Sequence, residues 1–443
     1  LAQPNRRAEG NLALSDMTET KTLPRTVGFW GTALLPVNGM IGAGIFALPA
    51  IMFAAVGNFA PWMMLIGALL ILPLVLVLAA LSTRFEMNGG PPIYVHAAFG
   101  PFLGFQSGWT RFASGVVSIA ANTHVAVAFL AVLFPILNDP ALKSVAVISF
   151  IIFMVSVNLV GMQTSVRTLG VMTVVKIVPL LVLIVVGLAM KDPAIGLRLP
   201  QFSEFESVVL LTFYAFMAFE NCTMAAGEVR NPKRTIPLAM MTTLACVTLF
   251  YMLVIWTYAA IAPQADGNEN ALAAAASQLV GQVGVIVISL AAAFSIGANS
   301  LVGGIVLPRM TFGMAEQGTL PQIFAQVSNR FQTPHVSILF LGGMAILFSL
   351  WAGFAALAVA STLSRLVMYL LCALALPVLG HREAKRAPWW HLPVSVLAVI
   401  SSLWVASQAS AEAFQMLGFI MVVGTGFFFI AVRRKPLAEV VQP

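Results

Sequence analysis

The chain has 443 residues, 60% of them hydrophobic and 9% charged, with a mean hydropathy of +0.95. So little polar material cannot cover a water-soluble globule of this size, which excludes a soluble enzyme carrying one anchor. The net charge of +7 arises from 23 Lys and Arg against 16 Asp and Glu; in a membrane protein such cations are first sorted by side, and no basic-aromatic nucleic-acid module accompanies them.

Residues 1–26 are polar, lack the apolar core of a signal peptide and read as a cytoplasmic tail. Apolar runs bounded by Gly, Pro, Asn and charge clusters then follow at 27–53, 61–85, 102–134, 145–161, 171–190, 208–227, 236–262, 279–314, 337–351, 354–379, 392–408 and 414–432. A crossing takes about 20 apolar residues as a helix, so the expected fold class is an all-α polytopic membrane protein of twelve transmembrane helices. Residues 27–380 form the ten-helix core, 381–432 hold helices 11 and 12, and 433–443 form a second tail. Most Lys and Arg, among them Arg84, Arg230, Lys233, Arg234, Arg382 and Arg433, fall on the side of the N-terminus, whereas Lys143, Lys191 and Arg198 fall opposite. The positive-inside rule then places both termini in the cytoplasm, with the chain in the inner (plasma) membrane and anionic lipid as its surrounding partner.

The first span holds Asn38-Gly39-Met40-Ile41-Gly42-Ala43-Gly44 between Pro36 and Pro49. Each glycine destabilises a helix by about 1 kcal/mol relative to Ala, so a break is expected. A break frees N–H groups for a carboxylate and carbonyls for an ammonium, which together suit an α-amino acid. The same small residues also suit a close helix-packing face. The sixth span reads Phe213-Tyr214-Ala215-Phe216-Met217-Ala218-Phe219-Glu220-Asn221, aromatics ahead of an acid–amide pair. That is a gate above a polar break, or lipid-facing aromatics ahead of a topology signal.

Four ions lie at membrane depth: Arg111 in the third span, Lys176 in the fifth, Glu220 in the sixth and Arg365 in the tenth. Each costs about 2.5–3.5 kcal/mol on insertion scales, so each marks a pathway or a structural ion pair. His124, beside Asn122 and Thr123, is a pH switch or a hydrogen-bonded histidine facing the extracellular path. Cys222, Cys246 and Cys372 stand singly in apolar runs and read as buried thiols. Walker A, nucleophile-elbow and HExxH patterns are missing, so neither an enzyme nor a cofactor or metal site is indicated.

GAGIF in the first span, FYAFMAFE and EVRNPKRTIPLA in and after the sixth, and PRMTFGMAEQGTLPQIFAQV after the eighth together resemble the amino acid, polyamine and organocation (APC) transporter superfamily. FGPFLGFQ and LFPILNDP resemble its arginine/agmatine exchanger branch. The resemblance implies a LeuT-type fold, a 5+5 inverted repeat with unwound helices 1 and 6. It implies that Gly42, Ala43 and Gly44 offer N–H groups to a substrate carboxylate, that Met40, Tyr214 and Met217 offer carbonyls to its ammonium, and that Tyr214 closes the extracellular side. Ala43 replaces a serine of that branch and Gly303 replaces its tryptophan platform, which argues against arginine. Arg111 and Glu220 fall at inner-gate positions, suggesting an ion pair that helps shut the cytoplasmic path and opens when the helices separate. Lys176 falls where some members carry a lysine in place of sodium, held against carbonyls of spans one and eight; whether it cycles a proton or stays a fixed strut is open. Arg365 resembles the substrate-facing arginine of the cystine/glutamate exchanger.

Three cations against one acid favour an acidic substrate, whereas Ser114, Gly115 and Gly303 could frame a compact neutral one. The expected function is Na⁺-independent secondary transport of a neutral or acidic amino acid, by proton-coupled symport or exchange. The alternatives are a polyamine or organic-amine exchanger and a non-transporting amino acid receptor. Partners are the amino acid, membrane lipid and, for symport, protons; no nucleic acid is expected, and the oligomeric state is open.

Overall fold

A computed structural model describes residues 25–86, 89–160, 166–190, 199–261, 270–382 and 388–434. Residues 1–24 and 435–443 of the expected tails, together with Lys191, Arg198, Lys385 and Arg386, lie outside them. Among the described residues the regular structure is helical apart from one isolated parallel bridge, Val27 to Val229.

The first span is broken. Helix α1 (Phe29–Met40) stops where Ile41 (φ −78°, ψ 81°) and Gly42 (φ −123°, ψ −138°) leave helical geometry, and α2 (Ala43–Val56) starts directly after them. The chain continues through α3 (Ala60–Ser82), the short α4 (Pro91–Phe99), α5 (Pro101–Leu133), α6 (Pro140–Val160) and α7 (Val166–Met190). The sixth span breaks as well: α8 (Phe202–Phe216) ends at Met217 (ψ 157°), Ala218 takes φ 80°, and α9 (Asn221–Met224) is one turn long. Then come α10 (Pro232–Ile261), α11 (Ala271–Glu316), α12 (His335–Trp351), α13 (Phe354–Arg382), α14 (His391–Ser407) and α15 (Ala411–Arg434).

Among the described residues nine helical stretches are long and apolar enough to cross a membrane, with α2 and α3 counted as one. The sequence expectation of twelve differs for two physical reasons. Breaking the first span leaves α1 only 12 residues long. Helices α12 and α14 have 17 residues each, about 26 Å at the α-helical rise and short of a core about 30 Å thick. Helix α11 also departs from the expected start at 279: it begins at Ala271 and kinks at Val280 and Gly281, the latter at φ 64°. Cys222 and Cys372 are buried, but Cys246 is exposed on α10, contrary to the expectation of three buried thiols.

Helix α5 is the central post, packing against α4, α11, α12, α13 and α15. Its Trp109 donates from Nε1 to the Ile420 carbonyl at 2.8 Å, over Gly424, where any added Cβ would collide with the indole. Around this post α2 lies against α8 and α1 against α7 and α10, which brings the two broken spans side by side.

Candidate functional site

Both breaks open onto one cavity of about 2500 Å³. At one end it is lined by Tyr214, Ser118 and Asn122; at the other it reaches Arg25, Arg84, Glu86, Arg309 and Arg382. At the first end Tyr214 donates to Asn122 Oδ1 at 2.7 Å, with Ser118 Oγ at 3.1 Å and the Phe354 ring edge-on at 5.8 Å.

The first break presents its groups unevenly. Met40, Gly42, Ala43 and Gly44 all line the cavity. The Gly42 N–H turns back onto the Met40 carbonyl at 2.9 Å, so the donors that begin α2 without a side-chain cap are those of Ala43 and Gly44. Glycine serves both uses weighed from sequence. An added Cβ at Gly39 would lie 2.5 Å from Asn221 Nδ2 and 2.6 Å from the Ala218 Cβ, so Gly39 is a packing position between the broken spans, whereas one at Gly44 would make only ordinary contact, 3.5 Å from the Ala215 Cα. Gly42 is the breaking position.

Helix α1 is tied to three neighbours at its carbonyl end. Lys176 of α7, 1% exposed, donates from Nζ to the Ile41 carbonyl at 3.0 Å and the Asn38 carbonyl at 3.4 Å. Tyr251 of α10 donates to the Met40 carbonyl at 2.7 Å and approaches the Ala215 carbonyl at 3.3 Å, bridging the ends of α1 and α8. Asn299 of α11 donates to the carbonyls of Asn38 (2.7 Å) and Gly39 (3.3 Å). The contribution of α11 is therefore a side-chain donor, whereas a backbone carbonyl for Lys176 was expected from that span.

At the second break one carboxylate serves two guanidiniums. Glu220 Oε1 lies 2.9 Å from Arg111 Nε and 3.5 Å from Arg365 Nη1, while Oε2 accepts from the Tyr369 hydroxyl at 2.8 Å. The 2.9 Å approach is too bent for a hydrogen bond, so it acts as a charge contact. Arg111 also donates to Asn221 Oδ1 at 3.0 Å, and Arg365 Nε donates to Ser114 Oγ at 3.0 Å. Glu220 is fully buried and both arginines nearly so, with the arginines lining the cavity. This cluster joins α5, the sixth-span break and α13.

The expected Arg111–Glu220 pair is present and ties α5 to the sixth-span break along one wall of the cavity. One sequence expectation is corrected here. Ser114 does not line the cavity: its hydroxyl donates to the Ser361 carbonyl at 2.8 Å and accepts from Arg365, behind the arginine. Gly303 and Met217 do line it. His124 points away, with Nε2 2.9 Å from the Ser349 carbonyl at the end of α12. Tyr251, Tyr369 and Asn299 were missed, because a lone hydroxyl or amide in an apolar span carries no pattern until the fold places it.

The Arg-rich mouth is clasped from three segments. Glu86 takes Arg25 at 2.6 Å and Lys233 at 3.1 Å, and these cations, Arg25 first, hold its carboxyl below the usual carboxylate range. Beside them the Val27 N–H donates to Glu228 and the Arg230 N–H donates to Val27.

Comparison with known proteins gives the same kind of molecule. Residues 27–432 match the amino acid permease family. The chain is 26% identical to a serine/threonine exchanger of Bacillus subtilis over 92% of its own length and 96% of the relative's. It is 25% identical to a methylthioribose transporter of the same organism over 96% and 97%, and 26% identical to a cadaverine/lysine antiporter of Escherichia coli over 69% and 70%. A polytopic helical chain with two broken spans around one cavity, matched to that family over nearly its full length, belongs to the amino acid permeases of the APC superfamily, a family of membrane transporters and not of enzymes.

Proposed function

We propose that this permease is a Na⁺-independent secondary active transporter of a compact neutral amino acid, working by alternating access through exchange or proton-coupled symport. The observation that carries the reading is the first break: uncapped N–H groups of Ala43 and Gly44 and the carbonyl end of α1 meet in one cavity. Opposite poles a few ångströms apart suit a carboxylate and an ammonium on one carbon. Lys176, on the Asn38 and Ile41 carbonyls, supplies the charge that a bound sodium ion would otherwise provide. The scaffold is a twelve-crossing LeuT-type fold, with α1/α2 and α8/α9 each counted as one interrupted crossing and α12 and α14 as short ones. With its Arg-rich end toward the cytoplasm of the inner membrane, the cavity opens inward.

The serine/threonine exchanger among the relatives supports a neutral substrate. An acidic amino acid is the second reading, favoured by Arg111 and Arg365 sharing one carboxylate beside the cavity. The cadaverine/lysine antiporter favours an amine exchanger, against which stand two guanidiniums that repel a second ammonium. The test is a thermal-shift screen of all amino acids and of diamines, with and without sodium, followed by counterflow in proteoliposomes. Stabilisation by neutral amino acids without sodium, with matching counterflow, is expected. Stabilisation by diamines alone overturns the substrate class, and binding without flux overturns transport in favour of a receptor.

A further inference from the structure

A helix leaves its last four carbonyls without intrahelical partners, and at the end of α1 three other helices fill them. Asn299 Nδ2 takes Asn38 and Gly39, Tyr251 takes Met40, and Lys176 takes Ile41 and approaches Asn38. These donors are not equivalent. Lys176 and Tyr251 are 1% and 0% exposed and lie off the cavity, whereas Asn299 is partly exposed and lines it. Its amide lies against the bare Cα of Gly42, where an added Cβ would sit 3.1 Å from Nδ2. Both of its hydrogen bonds run from Nδ2, and Oδ1 accepts none among the described residues.

We propose that Asn299 is the residue by which the site distinguishes an ammonium from other groups at the α-carbon, an inference that rests on the transport reading above. Its Nδ2 covers the Asn38 and Gly39 carbonyls, so neither acceptor is left bare. An arriving ammonium takes those carbonyls, and the displaced amide turns about its broad terminal torsion to offer Oδ1 to the same ammonium. An amide is the side chain suited to this exchange, because one half-turn converts a donor into an acceptor without moving charge. A hydroxyl in place of the ammonium has one donor and no charge, so it cannot satisfy the two carbonyls and Oδ1 together.

The test uses the full-length protein in detergent and compares stabilisation by an amino acid with that by its 2-hydroxy analogue. L-serine and glycerate form the first pair, and the other amino acid and hydroxy acid pairs follow. Asn299→Asp keeps the acceptor and adds charge, so the amino-over-hydroxy preference should rise about tenfold, as one charge-assisted hydrogen bond allows. Asn299→Leu removes both functions, and the preference should fall about tenfold; Asn299→Ser, milder for folding, should lower it in the same direction. A preference unchanged in the folded variants, with both ligands weakened equally, reduces Asn299 to a helix cap and overturns the inference alone. Wild-type protein stabilised by no amino acid overturns the transport reading, and the inference falls with it.

Discussion

Glu220 is held between Arg111, Arg365 and Tyr369, and its removal would leave two buried guanidiniums facing each other without a counter-charge. Glu220→Gln should therefore cost about 3–5 kcal/mol, the range for breaking a buried pair, whereas Tyr369→Phe should cost only about 1 kcal/mol for one hydrogen bond. Chemical unfolding in detergent measures both, and equal losses would show that the charge carries no special weight. Lys176→Met keeps the length of the side chain but strips the Asn38 and Ile41 carbonyls of their ammonium. Counterflow should fall to background in that variant; a wild-type rate would remove Lys176 from the cycle. The four ions were legible in the sequence because a charge at membrane depth is too costly to be incidental. Their mutual distances were not: nothing in the chain said that Arg365 would lean on Ser114 and so carry that serine out of the cavity.

The two interrupted spans were legible as elements. Glycines between prolines announced the first break, and the polar Glu220-Asn221 pair announced the second. What each glycine does depends on its neighbour across the gap. Gly39→Ala would drive a Cβ into Ala218 and Asn221 and should destabilise by about 1–3 kcal/mol, the usual cost of overpacking. Gly313→Ala, on α11 with nothing within 4 Å, should stabilise by up to about 1 kcal/mol through helix propensity. Thermal unfolding of the two variants in parallel checks the contrast, and a shared sign would refute it. The bend at Val280 and Gly281 was not legible, because one glycine in an apolar run is equally consistent with a straight helix.

At the scale of the whole molecule, the Arg-rich end depends on groups outside the spans whose titration has a definite sign. The depressed carboxyl of Glu86 contributes stability above the usual carboxylate range and loses it as pH falls through its lowered pKa. Wild type should exceed Glu86→Gln by at most about 1 kcal/mol at neutral pH, since the pair is largely exposed, and the two should converge in acid. His96 acts in the same direction: burial on α4 holds its imidazole below the ordinary histidine range, so below about pH 6.5 the unfolded chain gains protons first and the fold weakens. His96→Gln should flatten that part of a stability–pH curve. The polytopic all-helical character was readable from apolar length, but the clasp at the mouth was not, because it joins residues 25, 86 and 233 from three distant segments. Val27 belongs to this assembly too, joined by two backbone bonds to residues 228–230, a few residues beyond α9. The half-rods α1 and α9 are thereby yoked like two oars on one rowlock, and under the proposed alternating access a swing of one would pull on the other.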